Sequence, residues 1–158
     1  MNDMGNLREN LNLTSHPEGG AFRELFKSSE VVIKAEGGEH RSAITHIYFH
    51  LEKGEVSRFH KVNSDEIWHL YEGEGVTLYL WGEGDLNIRE IKIGSSETPH
   101  CYVVPAGVWQ AAEPVGESSL AGCSVGPGFE FDDFRLIDSR DDEAAAIRTI
   151  RPDLERFL

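Results

Sequence analysis

The chain has 158 residues, with 28 acidic side chains against 15 basic ones and a formal charge of -13. That length fits one domain, residues 1–158, which buries roughly 70% of its extended surface and needs no covalent staple. The charge creates a field that repels phosphate backbones and anionic headgroups, so neither nucleic acid nor a membrane surface is an expected partner.

No window reaches the ~18 apolar residues of a membrane span. The start, MNDMGNLREN, lacks the basic-then-apolar pattern of a leader. The two cysteines, Cys101 and Cys123, lie in apolar strand-like runs. They predict buried free thiols and a cytoplasmic protein.

In chain order, residues 1–30 read as an N-terminal extension. Residues 7–13 suit a short helix or turn, and SHPEGGAF is a loop punctuated by Pro17 and the Gly19-Gly20 pair. FRELFKSS, from Phe22, suits a strand or a helical turn, with Arg23 and Glu24 as a solvated pair. Strand signals then dominate: VVIKA, AITHIYFHL, SRFHKV, EIWHLYEG, VTLYLW, NIREIKI, CYVVPAG, WQAAEP and SLAGCSV. These β-branched and aromatic runs alternate with Gly, Asp, Asn and Pro turns, which predicts an all-β antiparallel sandwich or barrel. The turn at Gly126, Pro127 and Gly128, with Phe129, Phe131 and Phe134 after it, reads as a loop packing on the barrel, and Asp132 and Asp133 as a solvated charge run. Residues 139–158 form a C-terminal helical segment. Ser139 is a candidate cap for a helix over residues 139–150, with Asp141, Asp142 and Glu143 at the positive end of its dipole.

Two spacings carry the chemistry. In GEVSRFHKVNSDEIWHLYEG, Gly54 precedes five residues and then His60, and Glu66 precedes six residues and then Gly73. In PAGVWQAAEP, Pro105, Gly107 and Gln110 stand at fixed intervals, with Pro114 four residues on. The chain thereby resembles the cupin superfamily, whose common motifs are G-x5-H-x-H-x3or4-E-x6-G and P-x-G-x2-H-x3-N. Val62 stands where the second histidine is usual, Gln110 replaces the third, and Pro114 replaces asparagine. SHPEGG, SDEIWHLYEG, VVPAGVWQAA and GCSVGPGFEFDDF, in that order, look like a small branch of unsettled activity that resembles storage-protein cupins and deoxysugar epimerases. The resemblance implies a double-stranded β-helix, the cupin jelly-roll barrel, with a short C-terminal helix. It also implies a homodimer built on outer sheet surfaces and exchanged N-terminal strands.

Alternate residues of a strand point the same way. Arg58, His60 and Val62 therefore share a face, as do Glu66, Trp68 and Leu70, and Val108, Gln110 and Ala112. Facing inward, His60 and Glu66 are the candidate catalytic pair, with Arg58, Val62, Trp68, Leu70 and Gln110 as ligand-binding residues around a small organic ligand. A carboxylate beside an imidazole raises its pKa and orients its ring. Proton abstraction beside a carbonyl would make the protein a metal-independent sugar or hydroxyacid epimerase or isomerase. That chemistry needs a second proton carrier and an enolate stabiliser, for which Tyr48, Tyr79 and Arg58 are candidates. Two alternatives stand beside it. One is a non-catalytic ligand-binding or storage-like module, without cofactor. The other is a metal-dependent enzyme holding one divalent ion on His60, Glu66 and Gln110, although a neutral amide oxygen is a poor substitute for imidazole.

The same parity turns Ile67, His69, Tyr71 and Trp109 to the opposite face, toward another strand or another subunit. His16, His40, His46, His50, His69 and His100 form no compact metal spacing, and Gly19-Gly20 lacks the Lys-Ser/Thr of a phosphate loop.

Overall fold

The computed structural model describes residues 7–94 and 97–158. The first six residues of the expected N-terminal extension lie outside the described residues. The elements in chain order are α1 (Leu7–Asn10), β1 (Thr14–Ser15), β2 (Ala21–Lys27), β3 (Val31–Ile33), β4 (His40–Ser42), β5 (Thr45–Glu52) and β6 (Ser57–Val62). There follow β7 (Asp65–Gly73), β8 (Val76–Trp81), β9 (Arg89–Ile93), β10 (Cys101–Val104), β11 (Trp109–Pro114), β12 (Ser118–Gly126), β13 (Phe134–Leu136) and α2 (Asp142–Ile150). FRELFKSS thus resolves as strand, and each strand-like run of the sequence becomes a strand.

The strands build a jelly roll from two sheets. One has six strands in the order β1-β2-β5-β12-β7-β10, the other five in the order β13-β6-β11-β8-β9, and β3 pairs with β4 as a separate hairpin. Consecutive strands lie in opposite sheets at several points, so β6 and β7 face each other across the interior although only two residues separate them. This wrap brings the two sequence motifs to the same end of the barrel.

Alternation along each strand divides the buried side chains into two clusters. Phe49, Leu51, Trp68, Leu78, Leu80 and Ile93 fill the space between the sheets. Phe59, Tyr79, Trp81, Trp109, Ile147 and Phe157 form a second cluster involving α2 and the C-terminal turn. Strand β8 is buried at every position because the core takes one of its faces and the C-terminal segment the other. Trp109 therefore packs within the chain, at 0% exposure, while Tyr71 remains 47% exposed.

Helix α2 starts later than Ser139 predicts. Its N-cap is Asp141, whose side chain makes no cap hydrogen bond. That carboxylate instead accepts, through Oδ2, from the Asp138 backbone N–H and from Arg135, which turns it away from the helix. Asp142 and Glu143 occupy the first turn, where the dipole favours them. Pro152 opens a 3₁₀ helix, Pro152–Phe157.

Three other expectations change. Phe134 does not end a loop: it opens β13, an edge strand in which Phe134 lies opposite Val62 and Leu136 opposite His60. Asp133 is not solvated. It is 8% exposed and accepts from Arg41 through both carboxylate oxygens, at 2.8 and 3.0 Å. Cys123 is buried as expected, but Cys101 is exposed, because it begins β10 at the edge of its sheet. Among the described residues no helix is long and apolar enough to cross a membrane.

Candidate functional site

An interior cavity of about 80 Å³ lies at the motif end of the barrel. At roughly 10–15 Å³ per water on this measure, it takes a ligand of about half a dozen heavy atoms. His60, Val62 and Glu66 line it, and so do His16, Glu18 and Glu24, which the sequence reading did not assign to a site. Its apolar wall comes from Ile47, Val125 and four phenylalanines: Phe22, Phe129, Phe131 and Phe134.

Glu18 is the organising group. It sits in the turn between β1 and β2, and its carboxylate is buried. Its Oε2 lies 2.6 Å from His60 Nδ1 and accepts from the Ser57 hydroxyl at 2.6 Å. The turn is strapped to β6 by the Arg58 N–H, which donates to the Glu18 carbonyl at 2.8 Å. Gly19 makes this approach possible. Its φ is +113°, and a Cβ there would collide with the Val56 carbonyl, so only glycine can hold the turn against the start of β6.

His60 Nδ1 also lies 2.7 Å from the Arg58 carbonyl. A carbonyl only accepts, so Nδ1 carries a proton, and Nε2 is the ring nitrogen left for the cavity. Burial pulls the His60 pKa down, but the charge and hydrogen bond of Glu18 outweigh it and push the value to about 9. Burial likewise works to raise Glu18, yet His60, His16 and the Ser57 hydroxyl hold it below the ordinary carboxylate range. At neutral pH the two form an imidazolium–carboxylate pair.

Glu66 faces the opposite situation. Burial raises its pKa; His60 opposes the rise, Glu18 adds to it, and the balance stands at about 7. Its orientation is set by a chain of donors. Trp68 Nε1–H donates to Gln110 Oε1 at 2.8 Å. Indole only donates, so the Gln110 amide must present its NH₂ to Glu66 Oε1, at 3.2 Å. The other Glu66 oxygen is left for the cavity.

His16 completes the ring of polar groups. Its Nδ1 accepts the Glu18 backbone N–H at 3.2 Å, which places its own proton on Nε2. Burial lowers its pKa, and His60 adds to the effect against the pull of Glu18, so His16 is neutral at pH 7. The Cys123 thiol, raised by burial and by Glu66 and Glu18, stays protonated and inert.

His60, Glu66 and Gln110 thus meet, and Val62 joins them on the wall. Arg58 does not. Between β6 and β11, Gln110 is opposite His60 but Ala112 is opposite Ser57. The extra residue is a β-bulge, which reverses the parity. Ser57 therefore turns inward to Glu18, while the Arg58 guanidinium donates to the Ile137 carbonyl away from the cavity. Trp68 and Leu70 do face inward, but at ~3.3 Å per residue each step along β7 moves them down the barrel. Trp68 packs edge-on against Phe49, with centroids 5.6 Å apart, and the Leu70 side chain lies over Gly94. Both belong to the core beneath the site.

The expected proton carriers are placed elsewhere too. Tyr79 donates to Glu113 and packs on Phe157 in the outer cluster. Tyr48 lies edge-on against Tyr71. The second titrating group of the cavity is Glu18 with His16, from the SHPEGG loop, which the sequence marks as a turn and as part of the family resemblance but not as a site.

A divalent ion on His60, Glu66 and Gln110 does not fit these donors. Gln110 Oε1 is occupied by Trp68 and its NH₂ faces Glu66, so it offers the cavity no lone pair. One imidazole nitrogen and one carboxylate are a meagre set for a resident transition metal.

The phenylalanine wall is fixed by charge. Arg41 grips Asp133, Lys34 stands 3.7 Å from the same carboxylate, and Lys27 binds Glu130 at 2.9 Å. These contacts hold the segment carrying Phe129, Phe131 and Phe134 across the cavity, with Phe131 54% exposed at the mouth.

The family described as Cupin superfamily (DUF985), Cupin_5, matches residues 6–137. A hypothetical protein from Leishmania major is 26% identical over 98% of this chain and 95% of its own, with a TM-score of 0.81. A protein from Shewanella oneidensis is 29% identical, with coverage of 99% and 94% and a TM-score of 0.80. The capsular polysaccharide assembling protein CapF of Staphylococcus aureus is 15% identical, covering 80% of this chain and 32% of its own, with a TM-score of 0.61. That last likeness shows the fold alone. Among curated proteins there is no match.

The raised Glu66 pKa makes a prediction about stability. Between about 4.5 and about 7 the native state keeps a proton on Glu66 that the unfolded chain has released. Stability of the wild type relative to a Glu66→Gln variant therefore falls as pH rises through that window. Paired urea titrations at the two ends of the window check this; a difference that stays flat contradicts the assignment.

Proposed function

The chain belongs to the Cupin_5 family of the cupin superfamily, and we propose that its cavity binds a small organic carbonyl compound and moves a proton on it without a metal. The observation that carries this reading is that two buried carboxylates, Glu18 and Glu66, flank one imidazole, His60, in the same cavity. Glu18 is held low and Glu66 is raised to about 7. Titratable groups driven apart by their surroundings divide the roles of acid and base.

In this reading Glu66, once ionised, takes the proton from the carbon next to the carbonyl. His60 Nε2–H gives its proton to the carbonyl oxygen, which leaves a neutral enediol and a neutral imidazole. His60 Nε2 then takes the proton of the neighbouring hydroxyl, and Glu66 returns its proton to the former carbonyl carbon. Protons and charges close without an oxidant. Glu18 keeps the imidazole protonated at rest, and Gln110 with Trp68 aims the base. One base favours isomerisation over epimerisation, because the other imidazole of the cavity, His16, is held neutral and is a weak acid. A sugar-like substrate fits better than a hydroxyacid, since no Lys or Arg among the described lining residues meets a carboxylate.

A non-catalytic binding module is the second reading. The tightness of the Glu18–His60 pair favours it, because an imidazolium with a pKa of about 9 yields its proton reluctantly. A homodimer is part of the proposal. It would use the outer face of the six-stranded sheet, where Phe26, Tyr71 and Val103 are exposed. A cytoplasmic location, resting on the unbridged Cys101 and Cys123, is part of it too, with cell fractionation as its check.

Solvent deuterium exchange into small aldoses and hydroxyketones, read by NMR, tests the proton transfer. Exchange should rise through about pH 7 as Glu66 ionises and fall above about 9 as His60 loses its proton. Glu66→Gln and His60→Gln should each lower it ~10²–10⁴-fold. Exchange indifferent to both substitutions overturns the enzyme reading. Light scattering at micromolar concentration should give twice the chain mass; a monomer overturns the dimer.

A further inference from the structure

The charges around the cavity do not balance. Glu18, Glu24 and Glu66 line it, and no Lys or Arg does among the described residues. The one resident cation, His60, is matched by Glu18 at 2.6 Å, and His16 is neutral because its Nδ1 accepts a backbone N–H. Glu66 is left facing Glu18, His60, the Gln110 amide and the Cys123 thiol, and burial, opposed by His60 and aided by Glu18, keeps a proton on it near neutrality. Glu24, exposed on β2, stands at the rim. Lys27, the base that feels Glu24, is already bonded to Glu130.

The apolar side of the mouth is aromatic. Phe129, Phe131 and Phe134 are mutually edge-on, with centroids 5.0 to 5.9 Å apart and interplanar angles of 67° to 83°. Rings set at such angles offer faces in several directions, and each face carries the negative lobe of the ring quadrupole. A carboxylate beside aromatic faces is the chemistry that receives an organic ammonium group. An anion would find no base here, and a wholly hydroxylated ligand would waste the phenyl wall.

We propose that the ligand is a small organic cation: a carbonyl compound whose ammonium group sits at the mouth between Glu24 and the Phe129–Phe131 rings. This deepens the proton-transfer reading, on which it rests for the position of the carbonyl end beside Glu66 and His60. The cation end stands on the mouth residues alone, none of which takes part in the chemistry.

Calorimetry with choline and its neutral isostere 3,3-dimethyl-1-butanol, with lactate as the anion, tests it. Choline should bind at least tenfold more tightly than either. Glu24→Gln and Phe131→Leu, both at exposed positions, should each weaken choline severalfold and leave the isostere unchanged. Equal binding of choline and isostere, tighter binding of lactate, absence of choline binding, or indifference to both substitutions overturns the proposal. The two readings fail separately. Deuterium exchange into neutral hydroxyketones without cation preference removes the cation and keeps the proton transfer. Choline binding without exchange into any amino-ketone or neutral hydroxyketone keeps the cation and removes the proton transfer.

Discussion

The buried ion pair between Glu18 and His60 is the constraint on which the site depends. A carboxylate enclosed in a barrel is tolerated only when it is paired and hydrogen-bonded. His60 and the Ser57 hydroxyl meet that demand together. Several local features are consequences. The turn before β2 must press against β6, which requires glycine at position 19. Strand β6 must carry a bulge so that both Ser57 and His60 reach the same carboxylate. Beside the pair, burial is what raises Glu66: His60 opposes the rise, Glu18 adds to it, and the carboxyl keeps its proton up to about 7.

The barrel separates this polar end from its packing. Below the site, Trp68, Phe49 and Leu78 make a dry core, and Trp68 links the two regions through its single N–H to Gln110. Outside the five-stranded sheet, the C-terminal segment covers Tyr79, Trp81 and Trp109. The cavity is closed by a segment that is both acidic and aromatic. Its Glu130 is held by Lys27 and its Asp133 by Lys34 and Arg41, and its rings line the cavity. Among the described residues, no Lys or Arg lines the cavity itself.

Much of this was legible in the sequence. The strand runs carried their period, and the spacings from Gly54 to Gly73 and from Pro105 to Gln110 placed His60, Glu66 and Gln110 together. What escaped were interactions made at a distance. Glu18 lies 42 positions before His60, in a loop whose composition says that it turns but not where it docks. Arg58 was assigned by parity, and a bulge is invisible until the partner strand is known. Trp68 and Leu70 were assigned by face, which fixes direction but not depth. Asp133 looked solvated because its partner, Arg41, comes from a separate hairpin.

The central claim is a distribution of protons: imidazolium at His60, carboxylate at Glu18, and a proton on Glu66 that leaves near neutrality. Nuclear magnetic resonance of ¹⁵N-histidine and ¹³C-carboxyl labelled protein over a pH series observes all three. The account predicts that His60 keeps both ring protons until about 9, while the Glu66 carboxyl carbon titrates near 7. A His60 ring that is neutral at pH 7, beside a Glu66 already ionised at pH 5, would contradict it.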